Sequence, residues 1–167
     1  MLAKAANQSD SLTVERRSDV ELVVARVFDA PARIVYEAFT KPEHMKRWWA
    51  PKAFGAIMYE CEIDLRVGGK YRYVFGKEGE PRMAFAGEFT EVVTNAKIVA
   101  TQVFEQMPQA DVATVTTTFT ETNGSTRLEL LQRFPSKQAL DGAIATGMTE
   151  GMKHTFQQLA ELCAELR

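Results

Sequence analysis

The stretch LDGAIATGMTEGMKHTFQQLAELCAEL, Leu140 to Leu166, carries apolar side chains at Leu140, Ile144, Met148, Met152, Phe156, Leu159, Cys163 and Leu166. Steps of three and four residues put all of them on one face of a helix, so the chain is expected to close with a long amphipathic helix. Upstream lie segments of alternating apolar and polar residues joined by tight turns, the pattern of one antiparallel sheet. A single helix laid across a curved sheet encloses a cavity instead of filling it. The pattern predicts an α+β container and leaves its contents open.

The hairpin before the helix fixes a register. Thr122-Asn123-Gly124-Ser125 is a two-residue hairpin turn between Val112–Glu121 and Thr126–Phe134. Counting back from it sets Phe119 opposite Leu128, Thr117 opposite Leu130, Val115 opposite Gln132 and Ala113 opposite Phe134. This set is apolar enough to face the helix. Thr114, Thr116, Thr118 and Thr120 with Arg127, Glu129 and Arg133 face water. Thr117 and Gln132 are thereby turned inward, and Gln132 is either satisfied by neighbours or set against a polar cavity.

Further strands are read at Val20–Phe28, Ala56–Leu65, Lys70–Phe75, Met83–Val93 and Ile98–Phe104, with Glu105–Asp111 a looser segment. Two short helices follow the first strand. One opens at Asp29-Ala30-Pro31 and buries Ile34, Val35, Ala38 and Phe39; the other runs from Pro42 to about Trp49 and stops at Pro51. The sum is seven strands, two short helices and one long one. Pairing across Gly68-Gly69 leaves two alternatives. Burial puts Cys61, Ile63, Leu65 and Val74 inside with Arg72, whereas a bulge would turn Glu62, Asp64, Arg66, Tyr71, Tyr73 and Phe75 inward.

Composition sets limits. A chain of 167 residues, 46% hydrophobic and 25% charged, builds one core, read as a single domain over residues 19–167 behind a mobile polar tail at 1–18. A net charge of -2 argues against nucleic acid as partner, and no apolar run reaches the ~20 residues of a membrane span. No secretory signal is read, and Cys61 and Cys163 lack redox or metal spacing, which fits a reduced, cytoplasmic setting with both as buried hydrophobes. His44 has no partner ligand nearby and His154 lies round the helix from Met152, so no metal site is expected. No cofactor motif is present: there is no nucleophile elbow, phosphate loop or dinucleotide fingerprint.

Gly147 and Gly151 sit one helical turn apart beside Met148, Met152 and Thr155. Each glycine costs a helix about 0.8–1 kcal/mol, so the pair signals close approach, vacated space, or a break near Gly147. The predicted ligand wall is Met148, Met152, Thr155 and Phe156 from the helix, with Tyr73, Val115, Thr117, Leu130 and Gln132 from the sheet. Trp48 and Trp49 lie at its mouth, one stacking on a ligand and the other packing as core.

Several strings occur together in a fixed order: Phe28-Asp29-Ala30-Pro31, Thr40-Lys41-Pro42-Glu43-His44, Trp48-Trp49-Ala50-Pro51, Asp64-Leu65-Arg66-Val67-Gly68-Gly69-Lys70-Tyr71, Ala86-Gly87-Glu88-Phe89 and Gly147-Met148-Thr149-Glu150-Gly151-Met152. From about residue 18 onward the chain resembles the SRPBCC (START-like, birch-pollen-allergen-like) superfamily. Within it, the chain is similar to the branch named after the activator of the ninety-kilodalton heat-shock protein ATPase. Many members of that branch carry tryptophan where this chain has Met152.

The resemblance implies a helix-grip fold: a seven-stranded antiparallel sheet wrapped around the C-terminal helix, with a cavity between them. It implies three kinds of function. The first is binding of a small, largely apolar molecule as carrier or sensor. The second is a cyclase-like or aromatase-like reaction using Asp64, Glu62, Arg66 and Tyr73. The third is contact with a chaperone ATPase. The sequence is compatible with a monomer or a homodimer formed through an edge strand.

Overall fold

The computed structural model describes residues 11–107 and 112–167. The first ten residues of the expected tail, and the end of the loose segment before Val112, lie outside the described residues. The strands are β1 Thr13–Arg16, β2 Glu21–Phe28, β3 Ala56–Ile63, β4 Lys70–Lys77, β5 Met83–Val93, β6 Lys97–Phe104, β7 Ala113–Thr122 and β8 Ser125–Arg133. The helices are α1 Ala32–Thr40, α2 Pro42–Trp48, α3 Lys137–Ala145 and α4 Met148–Leu166, with a short 3-10 turn at Lys52–Phe54. All strands form one antiparallel sheet in the order β1-β2-β8-β7-β6-β5-β4-β3. The sheet has eight strands where seven were expected, because Thr13–Arg16 pairs along β2.

The β7–β8 hairpin has the register read from its turn: Val115 faces Gln132, Thr117 faces Leu130 and Phe119 faces Leu128. Asn123 (φ 52°) and Gly124 (φ 80°) both take the left-handed backbone that a tight hairpin demands. The β3–β4 hairpin corrects both alternatives. Cys61 pairs with Tyr73 and Ile63 with Tyr71, while a bulge between Met58 and Glu60 brings Met58 opposite Phe75. Aliphatic residues of β3 and aromatic residues of β4 therefore share the inner face. Glu62, opposite Arg72, is turned outward. The strand stops at Ile63, and Asp64 to Gly69 form the connection, closed by Asp64 N–H donating to Lys70 O.

The C-terminal apolar stripe is carried by two helices, not one. Thr146 and Gly147 donate back to Ala143 and Ile144, and Gly147 turns left-handed (φ 85°), ending α3 before α4 begins. Ser136 caps α3 through its hydroxyl, which accepts from Ala139 N–H at 3.1 Å. The expected cap at Asp29 is not made. Glu121, at the end of β7, accepts from Ala32 N–H at 2.8 Å and sets a carboxylate on the positive end of α1.

One core joins the concave face of the sheet to α1, α2 and α4. Leu22, Val24, Phe28, Val35, Met45, Trp48, Leu128, Leu140 and Leu159 are buried in it. Full burial of each large apolar side chain contributes about 1.5–3 kcal/mol. Trp48 is also held through its ring N–H, which donates to Ala38 O at 2.8 Å.

Candidate functional site: a cleft at one end of the concave face

Burial on the inner face falls off toward one end of the sheet. On β4, Tyr71 is buried while Tyr73 and Phe75 are half-buried; on β5, Phe89 is buried while Phe85 and Met83 are half-buried. On β6 the change runs from Ile98 and Ala100 to Gln102 and Phe104, whereas on β7 the half-buried Val115 lies between the buried Ala113 and Thr117. The registers place the open positions of β4, β5 and β6 toward the same end. The helix follows suit. Cys163, Leu159 and Phe156 of α4 are buried, and Met152 and Met148 are half-buried. The half-buried inner-face positions of β4, β5 and β6 and of the first half of α4 make up the candidate cleft. The facing side chains are almost all apolar.

Trp49 walls this cleft on the α2 side. Its ring centroid lies 5.3 Å from Tyr73, 5.1 Å from Phe75 and 6.0 Å from Phe85. Phe75 and Phe85 stack at 5.4 Å, and Phe104 continues the row 5.1 Å from Phe85. Such contacts make a stiff aromatic surface with faces and edges available to a flat ligand. Trp48, 2% exposed, packs in the core, while Trp49 meets the aromatic residues of β4 and β5.

Gln158 of α4 positions that wall. Its amide nitrogen donates to Trp48 O and Ala50 O, both at 2.9 Å, and its oxygen accepts from Lys52 N–H at 2.9 Å. The backbone either side of Trp49 is thus fastened to the helix by one side chain. Nothing in the sequence marked Gln158, because a polar residue off the apolar stripe reads as solvated. Phe85 and Phe104 were equally hidden, each being an unremarkable strand residue, whereas Phe75 was among those a bulge was expected to turn inward. A Cβ added at Gly151 would meet Pro51 and Phe54 at 4.0 Å, an ordinary contact, so close approach does not account for this glycine. Phe54 and Ile57, 43% and 44% exposed, form the adjoining rim.

Polar groups on the inner face are few. Thr155 is buried and its hydroxyl donates to Met152 O at 3.3 Å. Thr117 is buried on β7 beside Leu130. Burial holds the Tyr73 phenol protonated well beyond its usual range, reinforced by Tyr71 and Cys61. Arg26 lies beneath α4, donating to Gln157 Oε1 at 3.1 Å and resting 5.3 Å from the centre of the Phe28 ring. Gln132 is 4% exposed, and its Oε1 has no hydrogen-bond partner among the described residues. An orphaned buried acceptor costs about 1–3 kcal/mol.

The expected wall residues are thus distributed along the burial gradient. Trp49, Tyr73, Met148 and Met152 stand at the open end. Half-buried Val115 lies between buried neighbours, Thr117, Leu130, Gln132, Thr155 and Phe156 lie deeper, and Trp48 is sealed in the core. Of the four groups considered for catalysis, Tyr73 alone faces the cleft. Glu62 is exposed on the outer face, and Asp64 is held by Arg66 in an exposed pair at 2.9 Å. His154 is exposed with its ring 5.0 Å from Phe54, and no cluster of three metal-ligating side chains occurs among the described residues. A 430 Å³ groove lies on the opposite face, between Glu62, Lys70, Arg72 and Glu88. It is shallow, and Arg72 is already engaged by Glu105 at 2.8 and 2.9 Å, so its charges answer one another.

One large antiparallel sheet packed on a long C-terminal helix defines the helix-grip class of α+β proteins. The chain belongs to the family described as Activator of Hsp90 ATPase homolog 1-like protein, whose model matches residues 29–164. Solved structures share the fold. A protein from Rhodobacter sphaeroides superposes with a TM-score of 0.85 at 19% identity, covering 93% of this chain and 99% of its own. Protein Ms6760 from Mycobacterium smegmatis gives 0.81 at 24% identity, covering 91% and 96%. Protein NE0264 from Nitrosomonas europaea gives 0.78 at 24%, covering 89% and 96%. Among curated proteins, none matches the sequence. No helix among the described residues is long and apolar enough to cross a membrane.

Proposed function

We propose that the protein binds a small, largely apolar molecule in the cleft between the first half of α4 and strands β4–β6, acting as a carrier or sensor. The observation that carries this reading is the common direction in which burial falls along the inner face of β4, β5, β6 and α4. A face meant only for packing would be covered throughout, as β2 and β8 are at Leu22, Val24, Leu128 and Leu130. Half-exposed Met148 and Met152 add an adaptable side to a stiff aromatic one. Transfer of an apolar ligand onto these surfaces is favourable by about 25 cal/mol per Å² removed from water. Catalysis is less well supported, since neither Glu62 nor Asp64 reaches the cleft.

The test uses the neutral dye N-phenyl-1-naphthylamine. It should brighten on binding the wild-type protein and lose at least tenfold in affinity with Met152→Lys, whose far-ultraviolet dichroism should match wild type. Unchanged affinity in that variant refutes the assigned wall.

A second reading, contact with a chaperone ATPase, is favoured by the family alone. Co-purification with the host's own Hsp90 and stimulation of its ATPase would establish it. Failure of both would remove it.

A further inference from the structure

We infer that Asn123 is a site of spontaneous modification: the Gly124 backbone nitrogen attacks its side-chain amide and converts it to aspartate or isoaspartate. Asn123 and Gly124 are both exposed at the tip of the β7–β8 hairpin, beyond the last ladder pair, Thr122 with Ser125. The Gly124 N–H donates to no backbone carbonyl among the described residues, and a Cβ at Gly124 would meet nothing within 4 Å. The nitrogen is uncommitted and open to approach. Positive φ at both central residues, 52° and 80°, makes the turn type I′. In that form the Asn123 side chain and the Gly124 nitrogen point apart. Ring closure needs an Asn123 ψ of about −120°, the value at the first central residue of a type II′ turn. The two turns differ by a flip of the single peptide between Asn123 and Gly124. Asn123 keeps its positive φ in both, and only Gly124 changes sign, which costs glycine nothing in steric terms. The reactive geometry is therefore reached without unpairing the strands. Asn95, the other asparagine with positive φ (61°), lacks this route. The N–H that would attack it, on Ala96, donates to Val93 O at 3.0 Å, and the alanine methyl shields that nitrogen.

The step needs only water as co-reactant, and nothing is oxidised or reduced. The Gly124 nitrogen forms a bond to Asn123 Cγ, the Cγ–Nδ2 bond breaks, and ammonia leaves with the proton the nitrogen gave up. Water then opens the cyclic imide. Cleavage between Cγ and the Gly124 nitrogen gives aspartate. Cleavage between that nitrogen and the main-chain carbon gives isoaspartate, which routes the backbone through the side chain and adds a methylene to the turn. A two-residue turn has no slack for it. The consequence reaches α1, because Glu121 and Thr126 flank the turn: Glu121 accepts from Ala32 N–H at 2.8 Å, and the Thr126 hydroxyl donates to Ala30 O at 2.7 Å.

The experiment ages the purified full chain in mildly alkaline buffer and maps it by peptide mass spectrometry, with isoaspartate detected by enzymatic methyl transfer. A sample unfolded in urea is aged beside it. Folded Asn123 should gain the mass difference between an amide and an acid at least about tenfold faster than Asn95, tenfold being about 1.4 kcal/mol in barrier. Asn123→Gly keeps a sequence suited to the turn and removes the carbonyl that is attacked. The Ala32 amide should lose hydrogen-exchange protection as wild type ages and retain it in Asn123→Gly. Equal rates at Asn95 and Asn123 overturn the proposal, as does conversion of Asn123 in urea but not in the folded chain. Conversion that leaves Ala32 protected overturns the coupling to α1.

Discussion

Replacing Gly87 by alanine should destabilise the protein sharply, although alanine is ordinarily the better residue outside turns. Gly87 does not have a positive φ, so alanine could adopt its backbone. The obstacle is space. A Cβ there would stand 2.6 Å from Tyr71 Cε1 and 2.8 Å from Thr101 C, with Thr101 O nearer still. Two of these are backbone atoms of β6, and Tyr71 is anchored by its hydroxyl, which donates to Thr101 O at 2.6 Å. The Tyr71 ring crosses Gly87 to reach that carbonyl, while Glu88 N–H donates to the Thr101 hydroxyl oxygen at 3.0 Å. Relief requires β6 to withdraw from β5 by on the order of 1 Å, at an overpacking cost of about 1–3 kcal/mol. Losing the two hydrogen bonds adds roughly 0.5–1.5 kcal/mol each. Against this, the stiffer unfolded chain returns about 0.4–1 kcal/mol. The net loss is roughly 1–5.5 kcal/mol, a fall in Tm of roughly 2–22 °C for a chain of this size. Urea unfolding of Gly87→Ala, Tyr71→Phe and the double variant measures it, and the cycle should show coupling because both changes act on Thr101. Gly142→Ala is the control. A Cβ at this α3 position meets nothing within 4 Å, so the same exchange should stabilise by about 0.5–1 kcal/mol. A Gly87→Ala protein as stable as wild type would refute the reasoning.

Other outcomes are equally specific. Gln158→Leu should lower stability by roughly 1.5–3 kcal/mol through three lost hydrogen bonds and should red-shift the emission of Trp49; an unchanged spectrum would show that the clip does not hold that ring. Burial pushes the thiols of Cys61 and Cys163 from 9.0 up to about 12, Lys46 and Arg26 respectively opposing the rise. Raised pKa values stabilise the fold fully below pH ~9, where both states hold the proton, and this stability is lost as pH rises toward 12. Two thiols at about 1.36 kcal/mol per pH unit each give a slope near 2.7 kcal/mol per unit in that window. Tyr36, Tyr71 and Tyr73, also raised by burial, steepen it above pH ~10. Urea midpoints at pH 8 to 11 should show this decline, and Cys163→Ala should flatten it; a flat profile in wild type would contradict buried, protonated thiols.

The β7–β8 register was legible because Asn123-Gly124 marks a two-residue loop, and each strand then alternates without interruption. The β3–β4 hairpin was not, because its two glycines serve different needs. Gly68 takes φ 84°, while Gly69 has an ordinary φ and is small because Asp64 O closes in where its side chain would be. Sequence alone shows two adjacent glycines and suggests a two-residue turn. The bulge at Met58/Glu60 then hides the parity of β3. A comparable limit applied at Gly147: the apolar steps of three and four run straight through it, yet a left-handed residue there divides the stripe between α3 and α4. Hydrophobic period reports which face is buried and is blind to a change of axis.

The cleft shows the same separation of what patterning can and cannot convey. Tyr73, Phe85 and Phe104 alternate inward as Tyr71, Phe89 and Ala100 do, so one end of each strand is indistinguishable by pattern from the other. What separates them is the element above. Trp48, Phe156 and Leu159 cover the closed end, with Trp48 and Phe156 meeting edge to face at 6.3 Å, while thinner methionine side chains stand over the open one. Packing that fixes the fold is therefore concentrated away from the aromatic row, and changes at Met148 or Met152 should alter binding with little loss of stability. The reverse holds at Gly87 and Trp48. A substitution at Met152 that unfolded the protein as readily as one at Trp48 would mean that the two ends share one core, and the cleft would lose its independence as a site.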